Sequence, residues 1–290
     1  MQAGQKISCE AACGFGSGSF HCRTGLPVWR FRDLYFYKRK AETDFHSADR
    51  SLPISVSTVC QILSGGTGTR LASDIPKQYI EVYGKPIISY CIESLSAHRQ
   101  IDAIQIIADS AWQKPIQSWL PAYEPGKKFR GFSAPGSNRQ LSILNGLEAI
   151  RKYADDSDYV FIHDAARPLL TPKQITACLD AAKGHDGVIP VLPMKDTVYS
   201  SADGKRITAL LDRSEIYAGQ APEVFRLGVY YAANVRLLPD RIKNINGSTE
   251  PAVMAGLDVA MIFGDENNFK ITTKADLERF QSIVKEAQSL

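Results

Sequence analysis

A glycine-rich run has the composition of a phosphate-binding loop. It reads Leu63-Ser64-Gly65-Gly66-Thr67-Gly68-Thr69-Arg70-Leu71 and is soon followed by Pro76-Lys77-Gln78-Tyr79. Glycines let the backbone approach an anion closely, and successive N–H groups form a nest for phosphate oxygens. Arg70 and Lys77 add fixed positive charges, which suit a reaction that builds negative charge on a phosphate. Solvated surface positions are the alternative, but the shared glycine-anchored segment favours a catalytic role.

Two other phosphate loops do not fit this run. The Walker loop is excluded because no Gly-Lys-Ser/Thr follows the glycines. The dinucleotide fingerprint G-x-G-x-x-G is not met either, because Arg70 and Leu71 stand where its last glycine would fall. The run therefore indicates a phosphate site of another class.

A second polar run, His163-Asp164-Ala165-Ala166-Arg167-Pro168, follows an apolar segment that predicts a buried strand. Open α/β sheets bind their ligands at the carboxyl ends of strands. Asp164 there can hold Mg²⁺ between phosphates, and Arg167 can clamp the phosphate of a second substrate. The alternative is a simple ion pair within the loop. If the reacting group of that second substrate is its phosphate, it is already ionised near neutral pH and needs no general base, so His163 is expected to be structural.

Apolar strands and amphipathic helices alternate from Thr58 onward, which predicts an α/β fold with a mainly parallel sheet flanked by helices. The predicted strands span residues 59–63, 103–108, 128–133, 159–162, 187–192 and 259–263. The predicted helices span residues 86–97, a tryptophan-bearing segment ending near 120, then 138–153, 171–183, 226–237 and a last one beginning at 273.

A hairpin is predicted between Thr197 and Leu211, where two short strands flank Asp203-Gly204. It interrupts the α/β rhythm and is expected to protrude as an arm. Such an arm either covers the site or exchanges contacts in a dimer, although an ordinary surface excursion is equally consistent.

The composition is that of an ordinary globular protein, with 290 residues, 44% of them hydrophobic. No apolar run approaches the ~20 residues that span a bilayer, so a soluble protein without a membrane partner is expected. Residues 1–57 contain eight Lys/Arg and five Asp/Glu, which accounts for the whole formal charge of +3. The balanced remainder argues against a nucleic-acid partner.

Residues 1–57 are predicted to form a variable or disordered N-terminal extension ahead of one catalytic domain at residues 58–290. The extension lacks the basic start and apolar stretch of a secretory signal. Its aromatic and basic run at residues 29–40 is compatible with RNA or anionic lipid, but a variable extension is the simpler interpretation. None of the six cysteines makes a CxxC pair, which favours reduced thiols in a cytoplasmic protein.

The glycine loop, Pro76-Lys77 and Gly84-Lys85-Pro86 together resemble the nucleotidyltransferases, which attach a nucleoside monophosphate to a phosphorylated substrate and release pyrophosphate. The run from His163 to Pro168 is similar to a signature of the cytidylyltransferases that act on 2-C-methyl-D-erythritol 4-phosphate in isoprenoid precursor synthesis. Close relatives use ribitol 5-phosphate for cell-surface polymers. Further segments match in order, at residues 136–147, 196–197, 212–213 and 264–273. The resemblance covers residues 58–290 and implies a Rossmann-like fold.

The resemblance also implies a role for each matching residue. Arg70 and Lys77 would stabilise the pentacovalent α-phosphate with help from Lys270, and Asp164 would coordinate Mg²⁺. The residues implied to bind the nucleotide are Ser64, Gly65, Gly66, Thr67, Gly68, Gly136, Arg139 and Ser142. Those implied to bind the acceptor are Arg167, Thr197 and Arg213. The implied partners are CTP, a small polyol phosphate and a second copy of the chain, joined through the hairpin arm.

Some residues depart from the methylerythritol pattern. Ser64-Gly65-Gly66 stands where the methylerythritol enzymes usually have Ala-Ala-Gly, and Gly-Gly is commoner in the ribitol and sugar-nucleotide branches. Val198-Tyr199 replaces an Ile-Lys pair, which favours ribitol-type relatives. Pro135 replaces a glycine near the base and removes a backbone donor. Gln220-Ala221-Pro222-Glu223 stands where the family has Gln-Thr-Pro-Gln. Ser142, like Ala166, fits the methylerythritol branch, which is slightly preferred.

Three functions stay open at this point. The first is a CTP-dependent polyol-phosphate cytidylyltransferase. The second is a sugar-1-phosphate nucleotidyltransferase, suggested by the segments at residues 68–71 and 84–86 but opposed by the run from His163 to Pro168. The third is a catalytically idle protein that binds CTP without releasing pyrophosphate.

Overall fold

A computed structural model describes residues 58–66 and 75–289 of the chain. Three of the predicted site residues, Thr67, Gly68 and Arg70, lie outside the described residues, as does the predicted extension at residues 1–57. Their roles therefore stay predictions.

The described strands follow the predicted order with several additions. They are β1 (Thr58–Leu63), β2 (Glu81–Val82), β3 (Lys85–Pro86), β4 (Ala103–Ile107), β5 (Phe129–Ser133), β6 (Tyr159–Asp164), β7 (Gly187–Pro193), β8 (Val198–Ser200), β9 (Ala209–Leu211), β10 (Tyr217–Gly219), β11 (Glu223–Arg226) and β12 (Val259–Phe263). An eight-stranded sheet runs in the order β10-β7-β11-β6-β1-β4-β5, and β12 also pairs with β7. Because β1, β4, β5 and β6 are mutually parallel, as are β7 and β12, the predicted α/β fold class is confirmed.

Helices flank this sheet. They are α1 (Ile87–Ala97), α2 (Ser110–Tyr123), α3 (Arg139–Ile150), α4 (Pro172–Ala182), α5 (Leu227–Val235), α6 (Glu250–Met254) and α7 (Lys274–Gln288). Capping boxes begin α4 at Thr171 and α7 at Thr273, as the sequence predicts. Within the described residues, no helix is both long and apolar enough to cross a membrane.

The central strands are buried on both faces, which is the expected state of parallel strands between helical layers. Along β6, Phe161 packs into one apolar cluster with the helix α1 residue Ile92, while Val160 and Ile162 pack into another with Leu147 of α3. Successive side chains point to opposite faces of a strand, so one strand supplies both clusters. This packing helps to hold each strand in register with its neighbours.

The register places three loops at one edge of the sheet. Leu63 of β1 pairs with Asp164 of β6 on one side and with Ile107 of β4 on the other. The residues that follow these positions therefore leave the sheet side by side, at the edge where open α/β sheets bind ligands.

Four strands were missing from the sequence prediction. β2 and β3 pair with each other in a separate two-stranded sheet. β10 and β11 join the main sheet antiparallel to β7, and β11 also lies antiparallel to β6. The predicted helix at residues 226–237 therefore begins one residue late, at Leu227, because Arg226 ends β11. β11 has only four residues and leads directly into a helix, so its alternation of side chains is too brief to be recognised as a strand.

The predicted hairpin is confirmed. β8 and β9 form a separate two-stranded sheet in which Val198 pairs with Leu211 and Ser200 with Ala209. Residues 201–215 are all exposed. The arm therefore adds little to the apolar core described above.

Candidate active site

The end of β1 leads into a turn that is held by hydrogen bonds from several sides. The Ser64 amide and hydroxyl both donate to the Ile107 carbonyl, at 2.9 and 2.6 Å. Gln78 Nε2 donates to the carbonyls of Ser64 and Gly66, at 2.6 and 2.8 Å, and the Tyr79 hydroxyl donates to the Ser64 carbonyl at 2.9 Å. These donors neutralise carbonyl oxygens that would repel a phosphate, so the turn suits an anion.

Lys77 is fixed beside this turn by its place in the chain. It begins a 3-10 turn, Lys77–Tyr79, whose other two residues are buried and hold the Ser64 carbonyl. The sequence pointed to Lys77 alone in this segment. Gln78 and Tyr79 were missed, although two polar side chains directly after a candidate catalytic lysine were a usable signal.

Close packing requires glycine in the turn. A Cβ added to Gly65 would lie 2.4 Å from Cβ of Pro135, a separation that real Cβ atoms do not show. A Cβ added to Gly66 meets no atom of the described residues within 4 Å. Pro135, which departs from the family pattern, therefore packs directly on the glycine turn and joins the loop after β5 to the loop after β1.

Gly136 and Ser142 hold the next loop together. The Gly136 amide donates to Ser142 Oγ at 2.9 Å, and that hydroxyl donates to the Asn138 carbonyl at 2.8 Å. Asn138 in turn caps α3 by accepting from the Leu141 amide. Ser142 is buried, so in this structure it shapes the loop, and its contact with a nucleotide stays a prediction.

Asp164 is the centre of a charged cluster at this edge of the sheet. Arg139 Nη2 donates to Asp164 Oδ1 at 3.0 Å, and Lys270 Nζ donates to Oδ2 at 3.0 Å. Arg167 Nε lies 3.5 Å from Oδ2. The carboxylate predicted to bind the metal thus contacts three other predicted site residues. They are Lys270 for catalysis, Arg139 for the nucleotide and Arg167 for the acceptor.

The cations decide the charge of Asp164. Burial by itself opposes ionisation, but attraction from Arg139, then Lys270, then Arg167 holds the pKa of Asp164 well below its usual range. The carboxylate is therefore ionised at any physiological pH. One negative charge meets three positive ones, so the cluster has a surplus of positive charge that suits phosphates.

Arg167 and Lys270 are positioned by the same loop. Arg167 Nη1 donates to the Asn268 carbonyl at 2.6 Å, and Asn268 Nδ2 donates to the Ala221 carbonyl at 2.7 Å. The Ile271 amide donates to the Ala166 carbonyl at 2.9 Å, which holds Lys270 beside Asp164. Arg167 Nε is buried and forms no hydrogen bond within the described residues, although it is ion-paired with Asp164 at 3.5 Å.

His163 is packed inside the loop that carries Arg167. It is fully buried, and its Nε2 lies 3.0 Å from the Arg167 carbonyl. Burial lowers the pKa of His163 to about 4, so the imidazole is neutral near pH 7. It supports the loop that carries Arg167.

Thr197 and Arg213 lie at the base of the hairpin arm, apart from these contacts. Both are exposed. Arg213 Nη1 donates to the Lys195 carbonyl at 2.8 Å. No contact among the described residues joins either side chain to Asp164, so their roles in acceptor binding stay predictions.

The donor set fits a magnesium ion that binds together with its nucleotide. Within the described residues, no group of three His, Cys, Asp or Glu side chains is placed to hold a metal by itself. Mg²⁺ commonly binds through one or two carboxylates and substrate phosphates. Asp164 is ionised and lies at the ligand edge, so it can provide the one protein ligand that such an arrangement needs.

The sequence model of "IspD: 2-C-methyl-D-erythritol 4-phosphate cytidylyltransferase" matches residues 59–286. The chain belongs to the IspD family. The resemblance drawn from the sequence motifs is thereby confirmed.

Curated relatives in the IspD family carry different names. The chain is 34% identical over 231 residues to 2-C-methyl-D-erythritol 4-phosphate cytidylyltransferase of Syntrophotalea carbinolica, covering 79% of this chain and 97% of the relative. It is 32% identical over 227 residues to ribitol-5-phosphate cytidylyltransferase of Streptococcus pneumoniae, with coverage of 77% and 97%. It is 36% identical to the bifunctional enzyme IspD/IspF of Granulibacter bethesdensis over 76% of this chain, but spans only 54% of that relative's length.

Solved structures of IspD proteins have the same fold. The Francisella tularensis 2-C-methyl-D-erythritol 4-phosphate cytidylyltransferase is 25% identical, with a TM-score of 0.66 over 78% of this chain and 99% of that one. The Anaerococcus prevotii 4-diphosphocytidyl-2C-methyl-D-erythritol synthase, at 23% identity, has a TM-score of 0.68.

Proposed function

We propose that this chain transfers CMP from CTP to a small polyol phosphate and releases pyrophosphate. The observation that carries the proposal is the Asp164 cluster, in which Arg139, Arg167 and Lys270 surround one carboxylate beside the glycine turn of β1. A cluster with surplus positive charge at the ligand edge suits two phosphorylated substrates.

The chemistry forms one bond and breaks one. An oxygen of the acceptor's phosphate attacks the α-phosphorus of CTP, and the bond from that phosphorus to the β-phosphate oxygen breaks, so pyrophosphate leaves. The attacking oxygen is already ionised near neutral pH, so no side chain has to remove a proton. The chain's task is to hold two anions together and to stabilise the charge on the α-phosphate, the task proposed for Arg70, Lys77 and Lys270.

Asp164 would hold Mg²⁺ against the triphosphate, where the ion supplies charge neutralisation of the phosphate oxygens. Lys270 is about one-third exposed, with 35% of its side chain accessible, so it can contact Asp164 and a phosphate. Arg139 would bind the nucleotide with Gly136 and the β1 turn. Arg167 would bind the acceptor phosphate through its guanidinium.

The proposed acceptor is 2-C-methyl-D-erythritol 4-phosphate, which is the substrate named in the family description. Ala166 and Ser142 also fit that branch. Ribitol 5-phosphate is the second candidate, supported by the Streptococcus pneumoniae relative and by Val198-Tyr199 near the arm.

A single assay separates the candidate functions. Pyrophosphate release would be measured with each of four nucleoside triphosphates and Mg²⁺, supplied with methylerythritol 4-phosphate, ribitol 5-phosphate or a hexose 1-phosphate. We expect release with CTP and methylerythritol 4-phosphate, with a kcat/KM at least ~10-fold above that for ribitol 5-phosphate. No release with CTP and either polyol phosphate would contradict the proposal. Release with the hexose 1-phosphate would instead indicate a sugar nucleotidyltransferase.

We also propose a cytoplasmic homodimer that binds neither nucleic acid nor membrane. The free, buried thiols of Cys60, Cys91 and Cys178 suit a reducing compartment. The exposed apolar side chains of the arm, which include Ile207 and Leu210, suit contact with a second copy. In such a dimer, the arm of one chain would carry Thr197 and Arg213 to an acceptor.

A further inference from the structure

Arg139 is held between two carboxylates, and only one of them belongs to the Asp164 cluster. Its Nη2 donates to Asp164 Oδ1 at 3.0 Å. Its Nη1 donates to the hydroxyl of Ser248, and that hydroxyl donates to Glu223 Oε2. The guanidinium is therefore connected to Asp164 on one side and, through Ser248, to Glu223 on the other.

Ser248 is itself fixed from behind. The Tyr230 hydroxyl donates to the Ser248 carbonyl at 2.6 Å, and Tyr230 is fully buried. Gln140, the neighbour of Arg139 in α3, donates to the Tyr230 hydroxyl at 3.1 Å. Ser248 is thus attached to the same helix that carries Arg139, which makes it a rigid link between Glu223 and the guanidinium.

A carboxylate at the position of Glu223 is energetically unfavourable because the side chain is buried. Its side chain is buried, with 8% of the residue exposed, and burial raises the pKa of its carboxyl above the ordinary value, although Arg139 and Ser248 oppose that rise. A buried carboxylate destabilises a protein unless it is paired and hydrogen-bonded.

We propose that Glu223 is a positioning residue for Arg139, acting through Ser248 by its charge and its hydrogen bond. The proposal rests on the proposed function, in which Arg139 binds the nucleotide. When Asp164 engages a ligand, its contact with Nη2 weakens. The Glu223–Ser248 link keeps the guanidinium in place at that moment, so Nη2 stays oriented toward the nucleotide without a renewed loss of side-chain freedom.

The central experiment is a double-mutant cycle on CTP binding, measured by calorimetry with Mg²⁺ and without an acceptor. Glu223→Ala should weaken binding about tenfold, the scale for losing a group that orients a ligand-binding side chain. Arg139→Ala should weaken it at least as much. Because Glu223 acts through Arg139, the double variant should bind within about twofold of Arg139→Ala alone. If the double variant instead shows the product of the two single losses of affinity, the proposal is wrong.

Two milder variants distinguish the effect of the Glu223 charge from the effect of its hydrogen bond with Ser248. Glu223→Gln keeps an acceptor for Ser248 but removes the charge, so its affinity should fall about threefold, between wild type and Glu223→Ala. Ser248→Ala breaks the link while both charges remain and should resemble Glu223→Ala. These variants also serve if Glu223→Ala does not fold. A Glu223→Gln protein with wild-type affinity would contradict the role of the charge.

Glu124→Gln is the matched control, because Glu124 accepts from the Ser96 hydroxyl and the Lys128 amide in a similar serine–carboxylate link. It should leave CTP affinity unchanged. In the steady state, Glu223→Ala should raise the KM for CTP while kcat changes less than about threefold, the pattern of lost binding rather than lost chemistry. A fall in kcat with an unchanged KM would overturn the positioning role.

A ligand-free measurement distinguishes this proposal from the proposed function. The Nη1 protons of Arg139 donate to Ser248 and are assigned by their loss in Arg139→Lys. They should give resolved nitrogen-edited NMR signals in the wild type and averaged ones in Glu223→Ala, whereas Nη2 stays with Asp164 when no ligand is bound. Unchanged signals would overturn the proposal even if the enzyme is active. Averaged signals would support it even if no acceptor yields pyrophosphate.

Discussion

At the level of single residues, Asp164 combines cations from distant parts of the chain. Arg167 follows it by three residues, and their spacing in the sequence already indicated a possible ion pair. Arg139 and Lys270 are 25 and 106 positions away, so no local spacing could show that they share its carboxylate. Only their match to family segments placed them in a common site.

The same limit explains why Glu223 and Ser248 were not recognised as partners of Arg139. Glu223 was noticed as a departure from the family motif, but its sequence neighbours are apolar. Its partner lies 25 positions away, in a loop without a motif. A charge that is neutralised only through tertiary contacts leaves no periodic signal in the sequence.

The side chain of Lys77 gives the most direct test of the chemistry. Lys77→Ala should lower kcat by at least ~100-fold, the scale for losing one donor that stabilises transition-state charge. Binding of CTP should remain detectable, because the other cations and the glycine turn are retained. Steady-state pyrophosphate release and calorimetry measure the two effects. Lys183→Ala, which removes an exposed lysine paired with Asp180, is the control, and equal turnover in both variants would contradict the assignment.

At the level of secondary-structure elements, the parallel strands of the main sheet were predictable and its antiparallel strands were not. Long apolar runs such as residues 159–162 have a clear signal because both faces are buried. β11 has four residues and is inserted between β6 and β7 only after the arm has intervened in the sequence. Its place depends on tertiary pairing, which short segments do not encode locally.

Alanine substitutions of the two adjacent glycines in the turn after β1 should differ in their effect on stability. Gly65→Ala should destabilise the protein by about 1–3 kcal/mol, because the added methyl would overlap Pro135. Gly66→Ala should change the free energy of unfolding by less than about 0.5 kcal/mol, because its methyl meets no atom within 4 Å in the part of the chain that the structure describes. Urea denaturation measures both, and equal destabilisation would show that the turn is packed differently.

The N-terminus of α7 should make stability depend on acid pH. Asp276 opposes its own burial by accepting hydrogen bonds from Thr272 and Thr273, and its pKa falls from 3.8 to about 2. The unfolded chain therefore binds the proton more tightly, so this stabilisation is complete above pH ~4 and is lost as the pH falls toward 2. Because the site is partly exposed, we expect about 1 kcal/mol.

Thermal unfolding of wild type and Asp276→Asn between pH 2 and pH 7 measures that contribution. The two proteins should differ near neutral pH and converge as the pH approaches 2. A difference that stays constant over the whole range would mean that ionisation of Asp276 does not stabilise the helix.

At the level of the whole molecule, the arm is the least buried part of the described chain. Ile207 and Leu210 are each 66% exposed and Tyr199 is 53% exposed. Apolar side chains grouped on one projection are typical of a contact surface. The hairpin was predicted from its turn residues, whereas its partner could not be derived from a single sequence.

Sedimentation equilibrium tests the proposed dimer. The wild type should sediment as a dimer at micromolar concentration, and the double variant Ile207→Asp with Leu210→Asp should shift toward monomer by at least ~10-fold in dissociation constant. Lys173→Asp, which changes a charge away from the arm, should have no effect. A wild type that is monomeric at all concentrations would contradict the dimer.

The predicted extension should be dispensable for catalysis. Removing residues 1–55 leaves the whole family match at residues 59–286 intact. The shortened chain should keep kcat within about twofold of the full-length value, because its Asp164 cluster and glycine turn are unchanged. Loss of turnover in a shortened chain with unchanged circular dichroism would assign the extension to the active site.

The contact between Lys270 and Asp164 also sets the order in which the site is assembled. During synthesis, Asp164 leaves the ribosome long before Lys270, and the Ile271 amide must then return to the Ala166 carbonyl. Contacts between such distant positions form late because a long loop has to close first. A nascent chain can therefore build its central strands and still lack the charge balance around Asp164. Catalytic competence is reached only as folding of the C-terminal segment is completed.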